Sequence, residues 1–371
     1  LNGCRFLSLD DATNRNLANS DPDGFLRDDE YAVIDEIQRA PELLLTIKRM
    51  VDENPKVGRY LITGSVDLFH HSISPDSLAG RVEVVELMPF SQAEIDGSGV
   101  PQFIERVLSG NVSDISREIG RTDNFVERVL LGGYPVAQTM NELPIRQRWL
   151  RGYAAMLAKR DLSDVARVNK ANQFARLIKL AATASGQLLN FSKFGSQLNI
   201  DSKTSDRWLT LLENLFLIRR VPAWHQSSRK RLVKSEKIQF LDSGLLAAML
   251  NIDTESIQAN RHLLGELLEC FVFSELLKAT SLADKQLTLC HYRDMEKFEV
   301  DIVLERPFGE VVGIEVKSRV TIWPKDFRGL KRLQEISGNR FVCGVVLHDG
   351  EHIKQMYPRL FAMPIKVLWD L

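Results

Sequence analysis

Four largely apolar residues, Tyr31-Ala32-Val33-Ile34, run straight into two adjacent carboxylates, Asp35 and Glu36. A run that short and apolar reads as a buried strand, and two charges at its end fix where it must leave the core. The flanking sequence repeats the pattern. Residues 4–9 read as a short strand, and the Asp/Asn-rich stretch 10–22 as a surface connection containing a short helix. Residues 41–51 read as a helix with Pro41 in its first turn, stopped by Asn54-Pro55, and residues 59–65 as the next strand, with polar Thr63 and Ser65 at its end. Strand, helix and strand with polar ends predict an α/β domain whose ligands sit at the carboxyl edge of a parallel sheet.

Adjacent carboxylates at such a point suit magnesium-nucleotide chemistry. Asp35 would hold magnesium through its water shell, and Glu36 would polarise the water that attacks a γ-phosphate. Capping of a helix N-terminus is the alternative reading of the same pair. Further blocks follow in order: Ile37-Gln38-Arg39-Ala40-Pro41, Leu61-Ile62-Thr63-Gly64-Ser65, Ser77-Leu78-Ala79-Gly80-Arg81 and Leu87-Met88-Pro89-Phe90-Ser91. Together with the Asp-Glu strand they resemble a family of prokaryotic AAA-type (P-loop) ATPases. The resemblance implies a Walker B role for Asp35 and Glu36, ATP and Mg as cofactors, and a sensing role for Thr63. It also makes Arg81 a phosphate contact, with a structural salt bridge as the alternative. The phosphate loop G-x-x-x-x-G-K-[ST] is absent and the chain begins with Leu1, so it reads as a truncated fragment of such a domain.

The 371 residues, 44% of them hydrophobic, are enough for two or three domains. With 48 Lys+Arg against 49 Asp+Glu, any attraction to nucleic acid must come from a local patch. Four scattered cysteines without a C-x-x-C pair, and histidines without metal-ligand spacing, indicate neither zinc nor disulfides and suit a cytoplasmic setting. No apolar run reaches the roughly 20 residues that span a bilayer.

Residues 101–170 read as helical, broken at Gly132-Gly133-Tyr134-Pro135, with Trp149, Tyr153, Met156 and Leu157 on one core-facing side. Leu131 to Pro135 and Arg160-Asp161-Leu162 resemble the domain of unknown function that follows the ATPase in the same family. Three short helices between 174 and 215, then a strand at 216–221, suit a winged-helix module. From Lys203 to Lys237 nine Lys/Arg face three acids. Lys203, Arg207, Arg229, Lys230 and Arg231 are the candidate DNA contacts, against a protein-binding role or a merely solvated loop.

Helix 263–277 is apolar on most sides. Strands at 287–293, 298–305 and 311–318, a helix around 327–336 and a strand at 340–347 follow it. With Pro307-Phe308-Gly309 as a three-residue loop, Asp301 and Glu315 face each other across a hairpin and Lys317 shares their side. Like charges opposite each other destabilise a sheet, so Lys317 or a divalent cation must neutralise them, with Glu269 supplying a further oxygen. A structural ion-pair network is the alternative.

This constellation resembles the PD-(D/E)xK nuclease core, with Val300 in place of the nominal proline. The resemblance makes Glu269, Asp301 and Glu315 metal ligands and Lys317 the residue that positions or activates water. The fold class expected is therefore α/β throughout. It comprises a partial AAA-type domain (1–95), a helical and winged-helix region (96–255) and a restriction-endonuclease-like domain (256–371). ATP and DNA are the partners expected; a homo-oligomer, with Arg81 acting in cis or in trans, is left open. Without the amides and lysine of a phosphate loop, the chain by itself should bind ATP weakly. Calorimetric titration checks this, and tight binding would contradict it.

Overall fold

The computed structural model describes residues 4–27, 31–64, 80–112, 122, 124–165, 171–227, 231, 235–283 and 286–370, except the side chains of 158–165 and 171–173. Ser65, the block at 77–79, Arg229, Lys230 and the side chains of Arg160-Asp161-Leu162 lie outside the described residues. The chain divides into two compact units, Leu1–Leu87 and Met88–Leu371.

In the first unit β1 (Arg5–Ser8), β2 (Ala32–Asp35) and β3 (Tyr60–Ile62) form a parallel sheet in the order β1-β2-β3. Two short helices join β1 to β2. The Asp11 carboxylate accepts the Thr13 and Asn14 N–H groups to start α1 (Ala12–Ser20), and Asp21 accepts the Gly24 N–H to start α2 (Pro22–Leu26). After a 3-10 turn at Ile37–Arg39, α3 (Leu43–Glu53) turns Leu43, Leu44 and Ile47 inward onto Leu7 and Ile34. Because all three strands run the same way, Ser8, Asp35 and Thr63 finish at one edge.

The second unit opens with α4 (Gln92–Asp96), α5 (Phe103–Ser109), α6 (Phe125–Leu131), α7 (Pro135–Gln138) and α8 (Leu143–Val165). Trp149 and Tyr153 of α8 stack at 5.4 Å with Tyr134 edge-on, whereas Met156, expected in the core, is exposed. Then come α9 (Ala171–Thr183), α10 (Phe191–Leu198), α11 (Ser202–Asn214) and an antiparallel ribbon of β4 (Ile218–Val221) and β5 (Lys237–Phe240).

Helices α12 (Ser243–Leu250), α13 (Thr254–Ala259) and α14 (His262–Leu282) lead to β6 (Thr288–Arg293), β7 (Glu299–Glu305) and β8 (Val311–Lys317). After α15 (Arg328–Ser337) come β9 (Phe341–His348), β10 (Lys354–Tyr357), β11 (Leu360–Pro364) and α16 (Val367–Asp370). The sheet order is β10-β11-β9-β8-β7-β6, with β8, β9 and β11 mutually parallel. One hydrophobic cluster runs from Ala93 to Trp369 and includes α14, which is buried on most sides. The helical region and the six-stranded sheet therefore share a core rather than meeting as separate globules.

The glycines at the α6–α7 break have a specific cause. Buried Asp242 caps α12 by accepting the Leu245 N–H at 2.7 Å and also accepts the Gly133 N–H at 2.7 Å. Gly132, at φ +69°, leaves no room for a Cβ beside that carboxylate, and a Cβ on Gly133 would collide with the Phe90 carbonyl. The Phe90 N–H donates to the Gly133 carbonyl at 2.8 Å. Its own carbonyl accepts from Lys278 Nζ at 2.9 Å, and Lys278 also pairs with Glu275 at 2.9 Å.

Removing the Asp242 carboxylate strands the Gly133 N–H and uncaps α12. Asp242→Ala is therefore expected to cost about 2 to 4 kcal/mol, measured by urea unfolding. A loss under about 1 kcal/mol would show the clasp to be incidental.

Candidate functional site

Two clusters gather the sequence-predicted residues. At the carboxyl edge of the first sheet, Asp35 Oδ1 accepts the Thr63 hydroxyl at 2.5 Å and Oδ2 accepts the Ser8 hydroxyl at 3.2 Å. Glu36 follows with φ 58°, a left-handed conformation that a non-glycine residue adopts only when its surroundings hold it. Gln38 Nε2 donates to its carboxylate. Thr63 is thus brought directly to Asp35. Ser8 and Gln38 were not singled out from the sequence, although Ser8 ends a strand one register step across from Asp35. With both oxygens oriented by hydroxyl donors and, among the described residues, no lysine or arginine paired with them, Asp35 fits a partly hydrated magnesium ion.

Arg81 is not brought to this edge. It pairs with Asp52, in the last turn of α3, which carries the chain back to where β3 begins.

In the second unit the hairpin has the predicted register: Ile302 faces Ile314 and Leu304 faces Val312, and Gly309 takes φ +85° in the loop. A bulge adds one residue to β7 between Val300 and Val303, the stretch that carries Asp301. Asp301, Glu315 and Lys317 line one cleft with Glu299, Lys325 and Arg328. Asp301 Oδ2 accepts the Val316 N–H at 2.8 Å, and Lys317 Nζ donates to Glu315 Oε2 at 2.8 Å. Burial, reinforced by Asp301, holds the Glu315 carboxyl well above the ordinary glutamate value. Burial also works against the charge on Lys317, but Glu315 and Asp301 outweigh it and raise its pKa.

Glu269, expected as a further magnesium ligand, has a lysine instead. Lys237 Nζ lies 2.6 Å from Glu269 Oε1 and 3.6 Å from Glu299 Oε1, and Lys237 is only 3% exposed. Burial pushes Glu269 up to about 7, with Lys237 pulling it down and Asp301 adding to the rise. Breaking a buried pair of this kind by removing one partner costs about 3 to 5 kcal/mol. Among the described residues, no three His, Cys, Asp or Glu side chains form a group that could hold a metal ion. Asp301 and Glu315 line the cleft together with Glu299 and Asp326.

Part of the basic stretch is consumed inside the fold. Arg220 bonds Asp206 at 2.9 Å and Glu213 at 2.8 Å. Arg231, expected to meet DNA, makes two bonds to Glu305 and lies over the Trp224 ring, whose Nε1 donates to the same carboxylate. Lys203 and Arg207 are exposed on the first turns of α11, and Asp201 caps that helix.

Against this geometry, residues 2–96 match the model of an AAA domain family, which suggests nucleotide binding. Residues 122–256 match a domain of unknown function (DUF8612), and residues 264–368 a second one (DUF4143). An uncharacterized protein of Mycobacterium tuberculosis is 27% identical over 332 residues, covering 89% of this chain and 67% of the relative. A protein of Mycobacterium bovis, also described as uncharacterized, has the same identity and coverage. One of Haemophilus influenzae is 26% identical over 254 residues, covering 67% of this chain and 58% of the relative. No solved structure matches the chain significantly. Among the described residues no helix is long and apolar enough to cross a membrane.

The raised Glu315 carboxyl has a pH signature. Its proton is held more tightly folded than unfolded, so that contribution to stability is full below the unfolded value of about 4.3 and is lost as pH rises through the raised one. Melting temperature should fall across this window in the wild type and fall less in Glu315→Gln. Parallel pH profiles would contradict the assignment.

Proposed function

We propose that this chain carries the acidic side of a magnesium-ATP site and that the complete protein hydrolyses ATP, acting on DNA through its second unit. The observation that carries the reading is the Ser8-Asp35-Thr63 cluster at a parallel sheet edge, with Glu36 next in the chain, inside the stretch that matches an AAA domain. Asp35 and its two hydroxyl partners would hold magnesium, which when bound supplies positive charge to the phosphates. Glu36, fixed by Gln38, orients and accepts a proton from the attacking water. Three helices followed by the β4–β5 ribbon support a winged-helix reading of 174–240, with Lys203 and Arg207 as the DNA contacts. The helix, three strands, helix and strand of α14 to β9 support a nuclease-like reading. In it Asp301 and Glu315 are the magnesium ligands and Lys317 the residue beside the water.

A second reading is a nucleotide-gated adaptor with an inert nuclease fold. The Lys237–Glu269 pair favours it, because that lysine occupies an acid expected to bind metal.

In protein expressed from the longest reading frame containing this chain, Glu36→Gln is expected to lower ATP turnover by about 10² to 10⁴-fold while nucleotide binding persists. Unchanged turnover would remove Glu36 from the mechanism. In a magnesium-dependent DNA cleavage assay, loss of cutting in Lys317→Ala supports the nuclease reading; a wild type that cuts nothing supports the adaptor.

A further inference from the structure

We propose that Lys237 is a built-in cation of the C-terminal acidic cluster: its ammonium stands on Glu269 in place of a divalent metal and ties the β4–β5 ribbon to the cleft. The proposal rests on the reading of Asp301 and Glu315 as cation-binding carboxylates, and goes beyond it by excluding Glu269 from their metal.

The ammonium is placed by backbone, not by a loose side chain. Lys237 pairs with Val221 on one side and forms a bridge with Leu188 on the other. The Gln187 carbonyl accepts the Ile238 N–H at 3.0 Å, and the Ile238 carbonyl accepts the Gly186 N–H at 2.8 Å. Held on both edges, the start of β5 has one side-chain direction into the cluster. There Lys237 Nζ meets carboxylates from two different elements, Glu269 of α14 and Glu299 of β7.

Gly186 also lies against the Glu269 carboxylate. A Cβ at that position would lie 3.3 Å from one carboxylate oxygen and 3.4 Å from the other. Glu269 therefore has beside it a glycine that leaves it space and a lysine that supplies the charge. A divalent ion on Glu269 would have to coexist with that ammonium at contact distance, and like charges so close in a buried slot repel strongly. The ribbon residue and the metal exclude each other at this carboxylate.

Manganese binding to the full chain, followed by electron paramagnetic resonance, tests this. In the wild-type background Glu269→Gln should leave manganese affinity within about twofold. Lys237→Met should bind one ion at least about tenfold tighter, and Lys237→Met combined with Glu269→Gln should lose that gain. No gain in Lys237→Met, or weakened binding in the single Glu269→Gln variant, overturns the proposal.

Should Lys237→Met fail to fold, thermal melting of the double variant decides. Recovery of folding when Glu269 is neutralised supports the pair, and no recovery overturns it. Asp301→Asn separates the underlying reading: if it leaves manganese binding unchanged in the wild type, the Asp301–Glu315 metal site fails, while the melting of the Lys237 and Glu269 variants still reports their coupling.

Discussion

The buried carboxylate of Asp242 is the point from which the second unit is arranged. It caps α12 and accepts the Gly133 N–H, and no side chain fits at Gly132, which lies against it, or at Gly133 and Gly244, which lie against the Phe90 and Leu131 carbonyls. Burial raises its pKa, against the pull of nearby Lys278. Lys278 in turn bonds the Phe90 carbonyl and Glu275. One small network therefore fastens residues near 90, 133, 242 and 278, which are far apart in sequence, into a single core. An unpartnered charge at that depth is far costlier than the bonds themselves are favourable, so the network specifies an arrangement more than it adds net stability.

That arrangement positions the C-terminal cluster. β5 ends at Phe240, two residues before Asp242, and α14 carries both Lys278 and Glu269 on one continuous helix. The clasp thus fixes the strand that bears Lys237 and the helix that bears Glu269. The two acidic sites then differ in kind. Asp35 is oriented by hydroxyls, which donate hydrogen bonds without supplying charge. The carboxylates near the β7–β8 hairpin are balanced by lysines, Lys317 on Glu315 and Lys237 on Glu269. Among the described residues the first environment sets no lysine on Asp35, whereas the second sets one on each of Glu315 and Glu269.

What was legible in the sequence was local. The strand ending at Asp35, its partner ending near Thr63, and the register of the β7–β8 hairpin about a three-residue loop all follow from short-range periodicity and turn chemistry, and the observed pairs from Ile302–Ile314 to Glu305–Val311 agree with that register. The remainder depended on distant partners. The positive count of 203–237 is reduced by partners outside that window: Glu305 lies 74 residues from Arg231 and Glu269 lies 32 from Lys237, so a window sum could not find them. Gly132-Gly133 was readable as a break in a helix, but its reason, a carboxylate 109 residues away from Gly133, was not. The bulge in β7 left no sequence mark at all.

The same long-range pairing makes the ribbon and the cleft thermodynamically reciprocal. If Lys237 and a cation compete for Glu269, whatever holds β5 against Leu188 and Val221 strengthens the lysine's claim, and whatever binds the acids more tightly loosens β5 by the same free energy. The size of that exchange is bounded by the difference in affinity between the two arrangements. A surface ion pair would be screened and worth little. With Lys237 almost wholly inside, its bond to Glu269 instead has the strength of a buried pair. On that reading, bending of the ribbon would act on the charge of the cleft without any contact to it.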